Sequence, residues 1–200
     1  LVITDAGAPG ISDPGYRLIR VAIEKEIPIK VLPGPSAVTT ALLLSGLPTD
    51  RFCFDGFAPR TAGARKSWYE RLTLEERTII FFEAPHRLTE SLEDAVAILG
   101  GDRRIALCRE MTKTYEETVR GTLSELLDWS RGREVLGELT LVLAGFDASS
   151  RSYSDEELLS MVRAREESGE PRKEAISQVA KEVGVPKRVI FDLMVGSKRS

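Results

Sequence analysis

Blocks of apolar residues alternate with polar blocks rich in Gly and Pro along the first 45 residues. The apolar run 1–4 leads into a loop of Gly, Pro, Asp and Ser over residues 5–15, and a segment with helical periodicity follows. The order then repeats, with an apolar run at 27–32, a turn at 33–36 and a helical segment at 37–44. Such runs are typical of buried strands. Two successive strand–helix units predict parallel strands whose loops lie at one edge of a sheet, where open α/β folds bind ligands.

Both loops contain residues that suit the start of a helix. Asp13 is expected to cap the first helix, with Pro14 in its first turn, because Asp accepts backbone hydrogen bonds there and Pro fixes φ. Ser36 is expected to cap the second helix, whose N-terminal amides then face the same crevice. Loops of this kind can also serve only to turn the chain, but two in tandem favour ligand binding.

The pattern changes after residue 50, where short strands and helices are mixed. Strands are predicted at 52–54, 78–82, 104–108, 118–122 and 139–144, and helices at 67–74, 88–99 and 123–129. This mixture predicts a mixed or mostly antiparallel sheet. Residues 59–66 contain Arg60, Arg65 and Lys66 without an acid, which indicates either a phosphate contact or a solvated loop.

A polar linker, residues 147–152, precedes a third part of different composition. Ser154 is expected to open a helix with an acidic first turn, Gly184 to end a second helix, and Pro186 to start a third. The last two helices resemble a helix-turn-helix. The sequence therefore predicts three parts, with residues 1–49 and 50–147 forming two α/β lobes and residues 148–200 a linker and a small helical domain.

Composition narrows the classes of protein that fit. Of the 200 residues, 42% are hydrophobic and 30% are charged, as in ordinary globular domains. No apolar run approaches the roughly 20 residues that span a bilayer, so no membrane partner is expected. Cys53 and Cys108 are isolated and His86 is the only histidine, so no metal site is predicted. Residues 171–200 carry seven Lys or Arg and three Asp or Glu, which fits RNA binding and equally an ordinary charged helical surface.

Several segments together resemble the tetrapyrrole methylase superfamily and, within it, the branch called ribosomal RNA small subunit methyltransferase I. The segments are TDAGAPGISDPGY at 4–16, LPGPSA at 32–37, SGLPTDRF at 45–52, FEAPHRL at 82–88 and CREMTKTYEE at 108–117. The resemblance runs from residue 1 to about 145, and Ala8 departs from it, since Thr is expected there.

The resemblance implies an α/β fold of the class III methyltransferase type. It consists of the remainder of a parallel-sheet lobe, a mixed-sheet lobe and a small C-terminal helical domain. The chain begins inside an expected strand and without Met, so we expect a fragment that lacks an N-terminal stretch with a glycine-rich loop. The implied reaction is methyl transfer from S-adenosylmethionine to a cytidine ribose 2'-hydroxyl in small-subunit (16S) ribosomal RNA, by a cytoplasmic homodimer.

Site residues follow from the resemblance by matching motifs. Those expected to bind the methyl donor are Gly7, Ala8, Pro9, Ile11, Ser12, Ser36, Ala37, Phe82 and Met111. Those expected to be catalytic are Glu83, Arg109, Glu110 and Lys113.

The hydroxyl must lose a proton, so a base or a nearby cation is needed. The possible bases are Asp13, Glu83 and Glu110, and the possible cations are Arg87, Arg109 and Lys113. The sequence does not choose among them, and Glu83 could simply pair with Arg87.

Two other functions are compatible with the sequence. A superfamily methyltransferase could act on a corrin or porphyrin precursor, although residues 82–88 and 109–113 favour the RNA branch. A non-enzymatic nucleic-acid-binding protein could use the C-terminal helices, with the Gly/Pro loops serving only the fold.

Overall fold

The computed structural model describes residues 2–3, 7, 9–147, 153–183 and 185–196. The chain divides into two compact units between Phe146 and Asp147. A separate boundary near residue 49 stays a prediction.

The first unit contains α1 (Tyr16–Glu24), α2 (Ala37–Ser45), β1 (Phe52–Phe57), α3 (Ala62–Arg71), β2 (Thr78–Glu83), a 3₁₀ turn (Pro85–Arg87), α4 (Leu88–Leu99), β3 (Arg104–Arg109), β4 (Glu117–Thr122), α5 (Leu123–Arg131) and β5 (Leu139–Leu143). The second unit contains α6 (Asp155–Glu167), α7 (Arg172–Val183) and α8 (Lys187–Gly196).

A five-stranded mixed sheet forms the middle of the first unit, in the order β1-β2-β5-β3-β4. β1 pairs parallel with β2, while β5 lies between β2 and β3 and runs antiparallel to both. β1, β2 and β3 therefore point the same way, and their ends at Phe57, Glu83 and Arg109 lie at one edge, called here the carboxyl edge. The mixed sheet predicted for this part of the chain is confirmed.

The sheet is covered on both faces, because successive strand residues point to opposite sides. On the face called here the three-helix face, alternate strand residues form a core with α3, α4 and α5. Its most buried members are Tyr69, Ile79, Phe81, Leu88, Leu92, Leu107, Leu123, Leu141 and Leu143. On the opposite face, called the α2 face, α2 packs on the intervening strand residues.

Contacts of α2 with the sheet fix the direction of this helix. The Cys108 thiol lies 3.9 Å from the Ala41 carbonyl oxygen, and Arg120 Nε donates a 2.7 Å hydrogen bond to the Leu44 carbonyl. Arg120 pairs with Ala106 across β3 and β4. The helix therefore runs back along β3, and its N-terminus points toward the carboxyl edge.

The parallel strands predicted for the first 36 residues are wrong wherever this stretch is described. Residues 27–32 form no strand, and Val31 and Leu32 are about four-fifths exposed, at 80% and 84%. Val2 and Ile3 are also exposed, and α1 buries none of its residues. A strand requires a neighbour for its backbone N–H and C=O groups, and no described strand pairs with 27–32.

α1 and α3 start at other residues than expected, and α2 starts as expected but is capped differently. α1 begins at Tyr16 with Gly15 at the N-cap, so Asp13 is not its cap. Ser36 occupies the N-cap of α2, as predicted, but its side chain makes no capping hydrogen bond. α3 begins at Ala62 rather than Ser67, so much of the predicted basic loop is helical.

The second unit is three helices around their own core. Ser154 caps α6 through a capping box with Glu157, as its sequence predicts. The core side chains are Leu158, Val162, Ala175, Ile176, Val179, Ala180, Val183, Ile190 and Met194. Gly184, expected to end α7, lies outside the described residues. Over the described ranges, no helix combines the length and apolar character needed to cross a membrane.

Gly145 offers a test of the packing at the end of β5. A Cβ atom built on it would lie 2.0 Å from the Glu76 carbonyl oxygen, whereas one built on Gly63 in α3 would meet nothing within 4 Å. We expect Gly145→Ala to lower the free energy of unfolding by about 1–3 kcal/mol, as overpacking does. Gly63→Ala should raise it by about 0.5 kcal/mol, because Ala is the better helix former. Urea unfolding followed by circular dichroism measures both, and equal effects would contradict this packing.

Candidate functional site

The carboxyl edge brings together six of the residues predicted for the site: Phe82, Glu83, Arg109, Glu110, Met111 and Lys113. Glu83 and Arg109 both pair with Leu139, one on each side of β5. Glu110, Met111 and Lys113 follow the end of β3 directly. The ends of β2 and β3 therefore place these residues in one row although they are distant in sequence.

The row divides between the two faces of the sheet. Residues paired across strands share a face, so Glu83 and Arg109 lie with Leu139 on the three-helix face. Phe82 and Met111 pack on the α2 face, in the cluster that includes Val38 of α2. At this edge, Glu83 and Arg109 thus lie on the opposite face of the sheet from Phe82 and Met111.

Aromatic rings form part of the α2 face near the carboxyl edge. The Phe82 ring makes edge-on contacts with Phe54 and Phe57, at centroid distances of 4.9 and 5.3 Å. Ser36 and Ala37 are at the N-terminus of α2, which points toward this edge. Four of the predicted donor-binding residues are therefore on one face, and an apolar wall there lies beside a helix N-terminus.

Glu83 is a buried carboxylate held by an ion pair. Its Oε1 atom accepts a 2.8 Å hydrogen bond from the Ala84 amide and lies 2.8 Å from Arg87 Nη2. The Glu83 side chain is fully buried and that of Arg87 is 14% exposed. This geometry matches the simpler alternative, in which Glu83 pairs with Arg87.

A charged network lies beyond the end of β3. Glu110 Oε1 accepts hydrogen bonds from the Glu138 amide at 2.8 Å and from Lys113 Nζ at 3.0 Å. Lys113 Nζ also reaches Glu138 Oε2 at 2.9 Å, and Arg109 lies 3.3 Å from Glu117. The bonds from the Glu138 amide and from Lys113 lower the pKa of Glu110, and those to Glu138 and Glu110 raise the pKa of Lys113.

The lowered pKa of Glu110 predicts a pH dependence. Because the folded pKa lies below that of the unfolded chain, Glu110 adds stability at neutral pH, and this contribution is lost as the pH falls through the folded pKa. A carboxyl ¹³C NMR titration should place Glu110 below the ordinary Glu value of about 4.3. The substitution Lys113→Met should raise the pKa of Glu110, because it removes one of the bonds that lower it. A pKa of Glu110 at or above the ordinary value in the parent protein would contradict this network.

The predicted donor-binding residues before α1 are not brought into this cluster. Gly7, Pro9, Ile11 and Ser12 lie in the loop that precedes α1, and Ile11 and Ser12 are exposed. The cluster on the α2 face does not include them. Ala8 lies outside the described residues. Their role in donor binding stays a prediction.

The predicted phosphate contact at residues 59–66 is wrong for Arg65. This guanidinium is fully buried and lies 2.7 Å from Asp94 and 2.8 Å from Glu90, both on α4. Arg65 therefore ties α3 to α4 and is not accessible to a phosphate. The sequence could not show this, because both acids are in a later helix.

Sequence reasoning also missed Gly137 and Glu138. Gly137 has φ +91°, and a Cβ atom on it would lie 2.4 Å from Glu110 Cγ. The available signal was a glycine–acid pair directly before a buried strand. Among the described residues, no group of three or more His, Cys, Asp or Glu side chains could hold a metal ion.

Comparison with known proteins identifies the family. The family model for Tetrapyrrole (Corrin/Porphyrin) Methylases matches residues 1–127. Proteins named ribosomal RNA small subunit methyltransferase I are similar to the chain. The one from Mycobacterium bovis is 49% identical over 200 residues, covering 100% of this chain and 69% of the relative. The one from Escherichia coli O157:H7 is 40% identical over 192 residues, covering 95% and 66%.

Solved structures agree at the level of the fold. The methyltransferase CobJ superposes with a TM-score of 0.53 at 18% identity, over 74% of this chain and 64% of that chain. The cobalt precorrin-4 methyltransferase CbiF gives a TM-score of 0.50 at 16% identity, over 69% and 61%. These likenesses confirm the predicted α/β fold class. The family match, which covers more than half of the chain, shows that the chain belongs to the tetrapyrrole methylase family and is a methyltransferase.

Proposed function

We propose that this protein transfers a methyl group from S-adenosylmethionine to a cytidine ribose 2'-hydroxyl in small-subunit ribosomal RNA. The observation that carries the proposal is the extent of the similarity. Relatives named for ribosomal RNA methylation are 49% identical over all 200 residues, although the tetrapyrrole methylase match ends at residue 127. The shared region therefore includes the helical second unit, which the corrin and porphyrin family model does not cover.

We place the methyl donor on the α2 face at the carboxyl edge. The first helical hydrogen bond of α2 runs from the Thr40 amide to the Ser36 carbonyl, so the amides of residues 37–39 have no partner inside the helix and can bind a ligand. Phe82 and Met111 supply apolar surface beside them. This combination fits a nucleoside that carries polar groups and an uncharged ring. When bound, S-adenosylmethionine supplies a sulfonium methyl group for in-line displacement.

We place the acceptor RNA near the charged residues of the same edge. Lys113 is 45% exposed and Arg109 is 21% exposed, so both cations are accessible to solvent. A cation beside the ribose hydroxyl would favour loss of its proton to solvent water and stabilise the developing negative charge. We assign Lys113 this role and Arg109 the holding of a neighbouring phosphate. Glu83 is too deeply buried to touch RNA and acts through the structure around it.

The partners and the location of the protein are proposed from the sequence resemblance and from the exposed cations. We propose that the protein acts on the small ribosomal subunit in the cytoplasm, as a homodimer, as the sequence resemblance implies. The exposed cations of the second unit, Lys173, Lys181 and Lys187, are available for RNA phosphates.

Methyl transfer to isolated ribosomal subunits tests the proposal. The protein is incubated with methyl-labelled S-adenosylmethionine and small subunits that lack the modification, and the RNA is digested to nucleosides. We expect label in 2'-O-methylcytidine, and none when large subunits are the acceptor. Label in a tetrapyrrole acceptor but not in RNA would refute the proposal in favour of a corrin or porphyrin precursor.

A further inference from the structure

We infer that Glu110 is a positioning residue, whose carboxylate holds the turn that presents Met111 to the donor site, and that it does not take the acceptor's proton. The inference rests on the proposed function, because it concerns how the donor site is built. The turn consists of residues 110–113, between β3 and β4.

The backbone of this turn is in an uncommon conformation. Glu110 has φ 50° and Thr112 has φ 68°, so two residues with side chains adopt the left-handed region on either side of Met111. Such conformations cost free energy in residues other than glycine. They persist only where the surrounding structure fixes them, and they occur often at functional sites. The surroundings of Glu110 therefore need to supply the constraint.

The backbone of Glu138 supplies this constraint through two hydrogen bonds, one to the backbone and one to the side chain of Glu110. The Glu110 amide donates to the Glu138 carbonyl at 3.0 Å, and the Glu138 amide donates to Glu110 Oε1 at 2.8 Å. Lys113 adds a bond from its amide to the Glu110 carbonyl and one from Nζ to Oε1, both 3.0 Å. The Thr112 amide donates to Glu116 Oε2 at 2.7 Å. The carboxylate of Glu110 thus joins the turn to the chain that enters β5.

Gly137 fits closely against the same carboxylate. A Cβ atom at Gly137 would lie 2.4 Å from Cγ and 2.5 Å from Cδ of Glu110. A side chain at this position would displace Glu110 and release the turn. Because Gly137 has no side chain, the carboxylate of Glu110 can reach the Glu138 amide.

Met111 is the residue that the contacts of Glu110 with Gly137 and Glu138 orient. Its side chain packs on the α2 face in the cluster that contains Phe82, where we place the donor. With both neighbouring residues fixed, the side chain has a defined position on this face. Oε1 of Glu110 accepts two hydrogen bonds that tie the carboxylate to the turn. These bonds also lower the pKa of the carboxyl, which makes it a weaker base toward a substrate hydroxyl. Geometry thus favours a positioning role over a catalytic one.

Two substitutions of Glu110 separate the roles. Glu110→Gln keeps an oxygen that can accept from the Glu138 amide, whereas Glu110→Ala removes it. For a positioning residue, we expect the alanine variant to bind S-adenosylhomocysteine roughly tenfold more weakly by calorimetry, with kcat at saturating donor within about threefold of the parent. The glutamine variant should restore donor binding to within about threefold. For a base, both variants would lose about a hundredfold or more in kcat with unchanged donor binding, which would overturn the inference.

Two further variants serve as controls. Gly137→Ala should weaken donor binding as Glu110→Ala does, because both release the turn. Glu138→Gln removes the second carboxylate partner of Lys113 but keeps the backbone bonds to Glu110, so donor binding should not change. A parent protein that binds no S-adenosylhomocysteine and transfers no methyl group would refute the proposed function and the inference with it. A parent that binds and methylates, while both Glu110 variants lose about a hundredfold in kcat with unchanged donor binding, would refute the inference alone.

Discussion

Replacing Arg87 with methionine should lower the free energy of unfolding of the first unit by about 3 kcal/mol. Arg87 Nη2 lies 2.8 Å from Glu83 Oε1, and the Glu83 side chain is fully buried. Removal of the guanidinium would leave a buried carboxylate without a counter-charge, which is much more costly than loss of the pair itself. Urea unfolding of the parent and the variant measures the difference.

Arg131→Met is the matched control. Arg131 lies 2.7 Å from Glu93, but both side chains are about half exposed, at 53% and 48%. Loss of such a surface pair should cost less than about 1 kcal/mol. The double variant Glu83→Gln, Arg87→Met should recover part of the loss, because no buried charge remains unpaired. Equal effects of the Arg87 and Arg131 variants would show that the Glu83–Arg87 pair is not buried as described.

Replacing Lys181, Lys187 and Arg188 together with alanine should greatly weaken binding to small-subunit RNA. All three residues are exposed on α7 and α8. The Arg188 side chain is 89% exposed, and its Nε atom lies 3.7 Å from Asp192. Each cation that neutralises a phosphate releases a counterion, so its loss reduces the salt dependence of binding. If all three contact RNA, the slope of log K against log salt should fall by about 2–3.

The measurement compares RNA binding across a range of salt concentrations. Arg163→Ala is the control, since Arg163 is also exposed but lies on α6, whose first turn is acidic. It should leave the slope nearly unchanged. Binding of S-adenosylhomocysteine should be equal in all variants. An unchanged slope in the triple variant would mean that this surface does not bind RNA.

The strands and helices of residues 50–147 were predictable because each has a clear local pattern of apolar residues. The helix predicted at 88–99 is α4 with the same bounds, and the strands predicted at 78–82 and 104–108 each extend one residue further. Unbroken apolar runs are buried on both faces of a covered sheet. The segment 27–32 is also mostly apolar, although it contains Pro28 and Lys30, and it forms no strand. Strand formation depends on a partner as well as on the pattern, so the sequence alone could not separate the two cases.

The candidate site was predictable in part. Alternation along β2 places Phe82 and Glu83 on opposite faces, so the separation of apolar and charged candidates follows from the sequence once the strand is known. The turn at Glu110 and Thr112 does not follow from it. Glu110, one of its two left-handed residues, is fixed by Glu138, which lies 28 positions away in the sequence. Arg65 was mistaken for an accessible cation for a similar reason, because its partner Asp94 lies on another helix.

The placement of the donor on the α2 face is the central claim, and methionine NMR tests it most directly. The sequence has three methionines, of which Met111 packs on the α2 face, while Met161 and Met194 pack in the core of the second unit. Methyl-¹³C-methionine spectra are recorded during titration with S-adenosylhomocysteine. We predict that the Met111 signal shifts with saturation while the Met161 and Met194 signals stay in place. Saturable binding that leaves the Met111 signal unmoved would contradict the account.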